Sequence, residues 1–144
     1  MDFNKIKRAA KYIIYGVPQY DVKAEIHYLS PSNKLSGKKI IVTGGGKGLG
    51  AAMANKFVSE GASVLISGRN EKILKEKAEQ IGCKYLTLDV QDTNSFDKFI
   101  HDADRILGGV DSLVNNAGIS LHEPTFFDVT SETFDTQIAT NLRG

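Results

Sequence analysis

The chain has 144 residues, 41% of them hydrophobic and 24% charged, which suits one globular domain with a sizeable core. A net charge of +1 lacks the strong basic bias of a nucleic-acid binder. No run reaches the roughly 20 apolar residues of a membrane span, and the apolar run near the N-terminus is too short for a signal sequence, so a cytoplasmic protein without a membrane span is expected.

The first 36 residues differ from the rest, carrying six Lys/Arg against three Asp/Glu. Phe3, Ile6, Ala10, Ile13 and Ile14 fall on one helical face. The pattern predicts a short amphipathic helix ending near Gly16-Val17-Pro18, then an extended arm to Ser36. This extension is expected to pack on its own domain or a sister subunit rather than to serve as a membrane-surface or partner-binding helix.

From residue 37 the pattern is that of one regular domain running to residue 144. Ile40–Thr43 is an apolar run, as a strand buried on both faces requires. A helix is predicted over Leu49–Glu60, closed by Gly61. Val64–Ser67 is the second strand. Glu71–Ile81 is a helix with Ile73, Leu74, Ala78 and Ile81 inward and Gly82 at its end. The third strand is Tyr85–Leu88, preceded by Cys83, the one cysteine, which cannot pair within the chain and points to a reducing compartment. Cys83 is read as structural. Thr93–Leu107 is a helix expected to bury Phe96, Phe99, Ile100, Ala103 and Leu107 before Gly108-Gly109. Ser112–Asn115 is the fourth strand. Thr130 is a plausible N-cap for a last helix, with Val129 and Phe134 spaced for a hydrophobic staple. His27, His101 and His122 show no metal-ligand spacing. Alternation of strand and helix predicts an α/β fold with a parallel sheet and right-handed crossovers.

The glycine-rich turn after the first strand is the most specific signal. A P-loop fails, because Gly48 follows Gly46-Lys47 where a Ser or Thr is required. G-x-G-x-x-G counted from Gly44 fails at Leu49, and a shifted match over Gly46–Ala51 starts too far into the turn. The spacing present is Thr43-Gly44-x-x-x-Gly48-x-Gly50. Gly44 permits a tight exit from the strand. Gly48 and Gly50 remove Cβ atoms that would block a pyrophosphate and close helix–strand packing. The helix beyond, from Leu49, offers free N–H groups and a partial positive charge to an anion.

This pattern resembles the classical short-chain dehydrogenase/reductase family. Three further segments are similar to that family's motifs, in order: Leu88-Asp89-Val90 after strand three, Val114 to Gly118 after strand four, and Thr140-Asn141-Leu142. The resemblance covers residues 38–144. It implies a doubly wound Rossmann-type sheet, here incomplete, with strand order 3-2-1-4. It also implies that Gly44, Gly48, Leu49, Gly50, Asp89, Val90, Asn116, Ala117 and Gly118 border a nicotinamide dinucleotide. Asp89 and Val90 fall on the adenine side, and the Asn116–Gly118 segment passes close to the nicotinamide ribose. Asn115 is expected to tie strands together through its amide.

An NAD site of this kind sets a carboxylate at the end of strand two to bind the ribose 2′-OH. Gly68 stands there, followed by Arg69, whose guanidinium suits a 2′-phosphate. Lys47 is placed to add a second cation, so NADP(H) is the expected cofactor.

In the family, catalysis rests on a tyrosine general acid/base with a lysine four residues on, a serine, and an asparagine, here Asn141. None of Tyr12, Tyr15, Tyr20, Tyr28 and Tyr85 has a lysine four places later. An unassisted tyrosine, with a pKa near 10, is a poor base at neutral pH. The expectation is therefore a piece of a longer oxidoreductase acting on an alcohol/carbonyl pair, inactive as 144 residues and lacking the catalytic Tyr/Lys segment. The alternative is a non-catalytic nucleotide-binding or interaction module. A 3-oxoacyl reductase, a sugar dehydrogenase and an enoyl-type reductase all remain open. The segment 119–128 is expected to border the substrate cleft, with Phe126-Phe127 packed on the last helix or lining an apolar wall. The bare edge of strand four, together with the family's habit, points to a homo-oligomer.

Overall fold

The computed structural model of the protein describes residues 33–144 apart from His122 and Pro124. The amphipathic helix and most of the arm expected over residues 1–36 lie outside the described residues, as does the side chain of Phe126.

Four strands form one parallel sheet: β1 (Lys39–Thr43), β2 (Ser63–Gly68), β3 (Lys84–Thr87) and β4 (Ser112–Val114). Their order is β3-β2-β1-β4, as expected. Four α-helices alternate with them: α1 (Gly48–Ser59), α2 (Glu71–Ile81), α3 (Phe96–Leu107) and α4 (Ser131–Asn141). Short 3-10 turns at Thr93–Ser95 and Phe126–Asp128 precede the last two helices.

The unbroken apolar run of the central strands follows from cover on both faces. Ile40 and Val42 of β1 join Val64 and Ile66 of β2 on one face, packed with Ala54 of α1 and Leu74 and Ala78 of α2. Ile41 and Leu65 face the other way, against Phe99 and Ala103 of α3. Alanines at the α1 contact let that helix approach the sheet closely. Leu35, just before β1, also packs on the first of these clusters.

Local signals set the helix ends. The Asn70 side chain accepts from Ile73 N at 3.0 Å and caps α2, whose last turn closes on Gly82 at φ 78°. Gly108 closes α3 at φ 70°, and Thr130 Oγ1 accepts from Thr133 N at the start of α4. Replacing Asn70 with Ala is expected to lower stability by about 1 kcal/mol, the usual worth of such a cap, read as a lower denaturation midpoint with unchanged slope.

Several packing expectations are corrected. Ile100 is 48% exposed, because α3 shows the sheet a face of small width centred on Phe99 and Ala103. Ile73 is 40% exposed and borders a cleft rather than the core. Phe127 is 93% exposed, so it is not packed beneath α4. Val129 and Phe134 also stay largely exposed, so a staple between them would bury little. Thr93–Ser95 forms a 3-10 turn instead of the first turn of α3, because the Asp92 side chain accepts from Asn94 N there.

Cys83 is half-buried at the start of β3, and burial pushes its thiol up to about 11. Such a thiol is a poor nucleophile at neutral pH. Its reaction with a thiol reagent is expected to climb about tenfold per pH unit from pH 8 to 10, where an ordinary thiol would already level off above 9.0. Above the ordinary thiol pKa of 9.0 the unfolded chain releases a proton that the folded chain retains until about 11. This group therefore withdraws stability as pH rises through that window. Among the described residues, no helix is long and apolar enough to cross a membrane.

Candidate functional site

The carboxyl ends of β1, β2 and β3 open onto a cleft of about 520 Å³ at the point where the strand order reverses, between β1 and β4. The turn after β1 forms its floor. Gly44 leaves the strand at φ 65°, and a Cβ there would lie 2.9 Å from Ala117 Cα. A Cβ on Gly50 would stand 2.5 Å from both Gly44 O and Asn116 Nδ2, so α1 sits directly on the turn only because that atom is missing. Gly48, at φ 56°, has nothing within 4 Å of its Cβ position. This is a cradle that a ligand can enter, bordered also by Leu49, which is 71% exposed.

Helix α1 begins at Gly48, one residue earlier than expected. Lys47 occupies its N-cap position in extended conformation and makes no side-chain cap. The first helical bond runs from Ala51 N to Lys47 O at 3.3 Å. The N–H groups before it therefore lack helical partners, and no acidic residue occupies the first turn. Such an end attracts an anion.

On the β2 side the cleft is bordered by Ser67, Gly68, Arg69 and Asn70. Arg69 and Lys47 are both exposed cations on its lining. Ser67 Oγ is buried without a hydrogen-bond partner among the described residues. On the β3 side lie Leu88, Asp89 and Val90. One Asp89 oxygen accepts from Gln91 N at 3.0 Å, which shapes the turn after β3. The Gln91 side chain in turn donates to Thr140 Oγ1, joining that turn to α4.

The fourth wall is Asn116, Ala117 and Gly118. Thr43 Oγ1 accepts from both Asn116 N and Ala117 N at 3.0 Å. Asn116 Nδ2 donates to Thr43 O at 2.9 Å and to Gly44 O at 3.3 Å. The inter-strand tie expected of Asn115 is thus made by Asn116, because that residue turns toward β1 while Asn115 stays exposed. Asn141 lies outside the cleft lining. Its Oδ1 accepts from Ile119 N at 2.8 Å, and its Nδ2 donates to Ile119 O at 2.9 Å. This two-point clamp holds the chain just past Gly118 against α4.

All eleven residues expected around a dinucleotide therefore border one cleft, while Asn141 stands behind its wall. Sequence reasoning missed Ser67, Asn70 and Thr140 as lining residues. Ser67 and Asn70 flank Gly68-Arg69 and could have been inferred from adjacency. Thr140 enters only through the docking of α4.

The short chain dehydrogenase family model matches residues 38–144. The chain is 36% identical over 117 residues to the NADP-dependent (R)-specific alcohol dehydrogenase of Lentilactobacillus kefiri, covering 78% of this chain and 46% of that one. It is also 36% identical over 115 residues to 2,5-dichloro-2,5-cyclohexadiene-1,4-diol dehydrogenase LinX of Sphingobium indicum, covering 76% and 46%. Among solved structures, the 3-ketoacyl-(acyl-carrier-protein) reductase of Brucella melitensis in complex with NADH superposes with a TM-score of 0.73 at 33% identity, covering 76% of this chain and 46% of that one. The chain spans about half the length of the curated relatives it matches.

Proposed function

The chain belongs to the short chain dehydrogenase family, and from that premise we propose that it is the NADP(H)-binding portion of an oxidoreductase acting on an alcohol/carbonyl pair. The observation that carries the cofactor choice is the end of β2, where Gly68-Arg69 borders the cleft in place of a carboxylate. An arginine pairs a phosphate in a bidentate, charge-assisted way, and Lys47 offers a second cation on the same lining. Relatives named for NADP and for NADH both occur, so the preference must come from these residues.

The cleft fits a dinucleotide. The open cradle at Gly48 and the unpaired N–H groups at the start of α1 would take the pyrophosphate. Asp89 and Val90 would border the adenine, and Asn116, Ala117 and Gly118 the nicotinamide ribose, with Gly44 and Gly50 allowing the close approach and Leu49 at the mouth. When bound, the cofactor supplies or accepts a hydride at its nicotinamide. Asn141 serves in this reading as a positioning residue, because both ends of its amide hold the Ile119 main chain that follows the nicotinamide wall. The general acid/base is assigned to the part of the protein outside these 144 residues, since none of the five tyrosines has a lysine four places on.

Titration of the purified chain with NADPH and with NADH tests the reading. NADPH is expected to bind at least tenfold more tightly, and equal affinity would remove the assignment of Arg69 and Lys47. Reductase assays on this chain and on the whole protein separate the enzyme from a non-catalytic nucleotide-binding module. Turnover is expected only in the whole protein.

A further inference from the structure

Two walls that face each other across the cleft come from strands that do not pair. Asp89 and Val90 follow β3, and Asn116 to Ile119 follow β4, with β2 and β1 between those strands in the sheet. The end of α4 lies across this gap. On one side Gln91 Nε2 donates to Thr140 Oγ1. On the other, the Asn141 amide holds both Ile119 N and Ile119 O. Adjacent residues of one helix thus touch both walls, and Thr140 also lines the cleft between them. Gly144, just past the helix, lies against the first wall as well, its Cβ position 2.7 Å from Val90 Cγ2.

The contact between Gln91 and Thr140 has a fixed polarity. Thr140 Oγ1 donates its own proton to Thr136 O at 3.1 Å. It therefore has only lone pairs left for Gln91, which must supply an N–H. Gln91 is fixed in its turn, because its own N donates to Asp89 Oδ1 at 3.0 Å and Asp92 N donates to Asp89 O at 3.0 Å. The Gln91 amide thereby transmits the position of the Asp89–Val90 turn to α4. Apolar packing does little to hold this helix: Thr140 is buried, but Phe134 and Leu142 are exposed. A segment held mainly by a few polar contacts opens at low cost.

We propose that Gln91 is a positioning residue of the cofactor site, tying the adenine-side turn to the end of α4 so that dinucleotide binding and the docking of α4 stabilise each other. The proposal rests on the cofactor reading above. A dinucleotide held between the two walls favours the arrangement in which both stand at the right separation. That is the arrangement in which α4 touches both. By linkage, the factor by which docking tightens binding is the factor by which binding tightens docking. One neutral hydrogen bond sets that factor at about three- to tenfold. Gln91 reaches the ligand only through Thr140 and the turn, so it acts alike on the phosphorylated and the unphosphorylated dinucleotide.

Amide exchange by NMR on the full chain tests the tie without ligand. Ile119 N reads the Asn141 clamp, and Leu142 N, which donates to Ile138 O at 3.1 Å, reads the helix end. In Gln91→Met both are expected to exchange about three- to tenfold faster, while Val42 and Leu65 stay protected. Thr140→Val should do the same, and the double variant no more than the larger single effect, since the two side chains act as one unit. Saturating NADPH should slow Ile119 and Leu142 in the unsubstituted chain and slow them less in Gln91→Met. Titration of Gln91→Met should show NADPH and NADH weakened by the same factor, their ratio unchanged. Unaltered exchange in Gln91→Met overturns the proposal, as do additive losses in the double variant or a loss confined to NADPH. An unsubstituted chain that binds neither dinucleotide would remove the cofactor reading and the coupling together, and the ligand-free rates would still decide whether Gln91 holds α4. Should Thr140→Val fail to fold, the Gln91→Met rates and titrations decide alone.

Discussion

Gly44→Ala is expected to destabilise the chain by about 2–5 kcal/mol, a large share of the stability of a domain this size. Two effects combine. An L-residue in the left-handed region costs about 1–2 kcal/mol, and Gly44 sits at φ 65°. The new methyl would also stand 2.9 Å from Ala117 Cα, a backbone atom that cannot swing aside, and overpacking of that kind costs about 1–3 kcal/mol. Two companion variants separate these contributions. Gly50→Ala carries only the clash, with Gly44 O and Asn116 Nδ2 each 2.5 Å from the added atom. Gly48→Ala carries only the strain, since nothing lies within 4 Å. Denaturant unfolding should rank Gly44→Ala as the most damaging, and a Gly48→Ala loss equal to it would contradict the close approach of the Ala117 segment.

Arg69→Asp is expected to weaken NADPH binding by about 10- to 100-fold and to reverse the preference toward NADH. A charge-assisted hydrogen bond contributes about 1.5–3 kcal/mol, and each 1.4 kcal/mol is tenfold in affinity. The aspartate also supplies, beside Gly68, the carboxylate that a ribose 2′-OH needs. Lys47→Ala should give a smaller loss without reversal, because it removes one point charge and supplies no carboxylate for a ribose 2′-OH. Both effects should shrink at high salt, since the two cations are exposed and screened. Fluorescence titration of the reduced cofactors reads all of this, and an unchanged NADPH affinity in Arg69→Asp would withdraw the 2′-phosphate assignment.

These two experiments test different layers of the same cleft. The glycines concern whether the backbone can form the floor at all, and their effects are visible without any ligand. Arg69 concerns which dinucleotide the formed floor prefers, and its effect is visible only by titration. Asn116 belongs to the first layer: its amide joins the turn after β1 to the chain after β4, so the floor and the far wall form together.

Much was legible in the linear sequence because the decisive signals are local. The apolar runs of β1 and β2 announce strands covered on both faces, Gly82 marks the end of α2, and Gly44, Gly48 and Gly50 mark the one place where backbone must approach backbone and an anion together. From these the strands, the helices and the position of the glycine turn follow, while the strand order came from the family resemblance. What only the tertiary structure decided depends on contacts between residues far apart in the chain. Whether Asn115 or Asn116 reaches β1 turns on how the chain leaves β4 after Val114, where Asn116 meets Thr43 and Gly44. Ile100 and Phe127 are apolar by composition yet exposed, because burial depends on what packs opposite and no periodicity records that. Asn141 came from sequence as a catalytic residue. The contact of its amide with the Ile119 main chain 22 residues away is fixed only when α4 docks against the wall of the cleft.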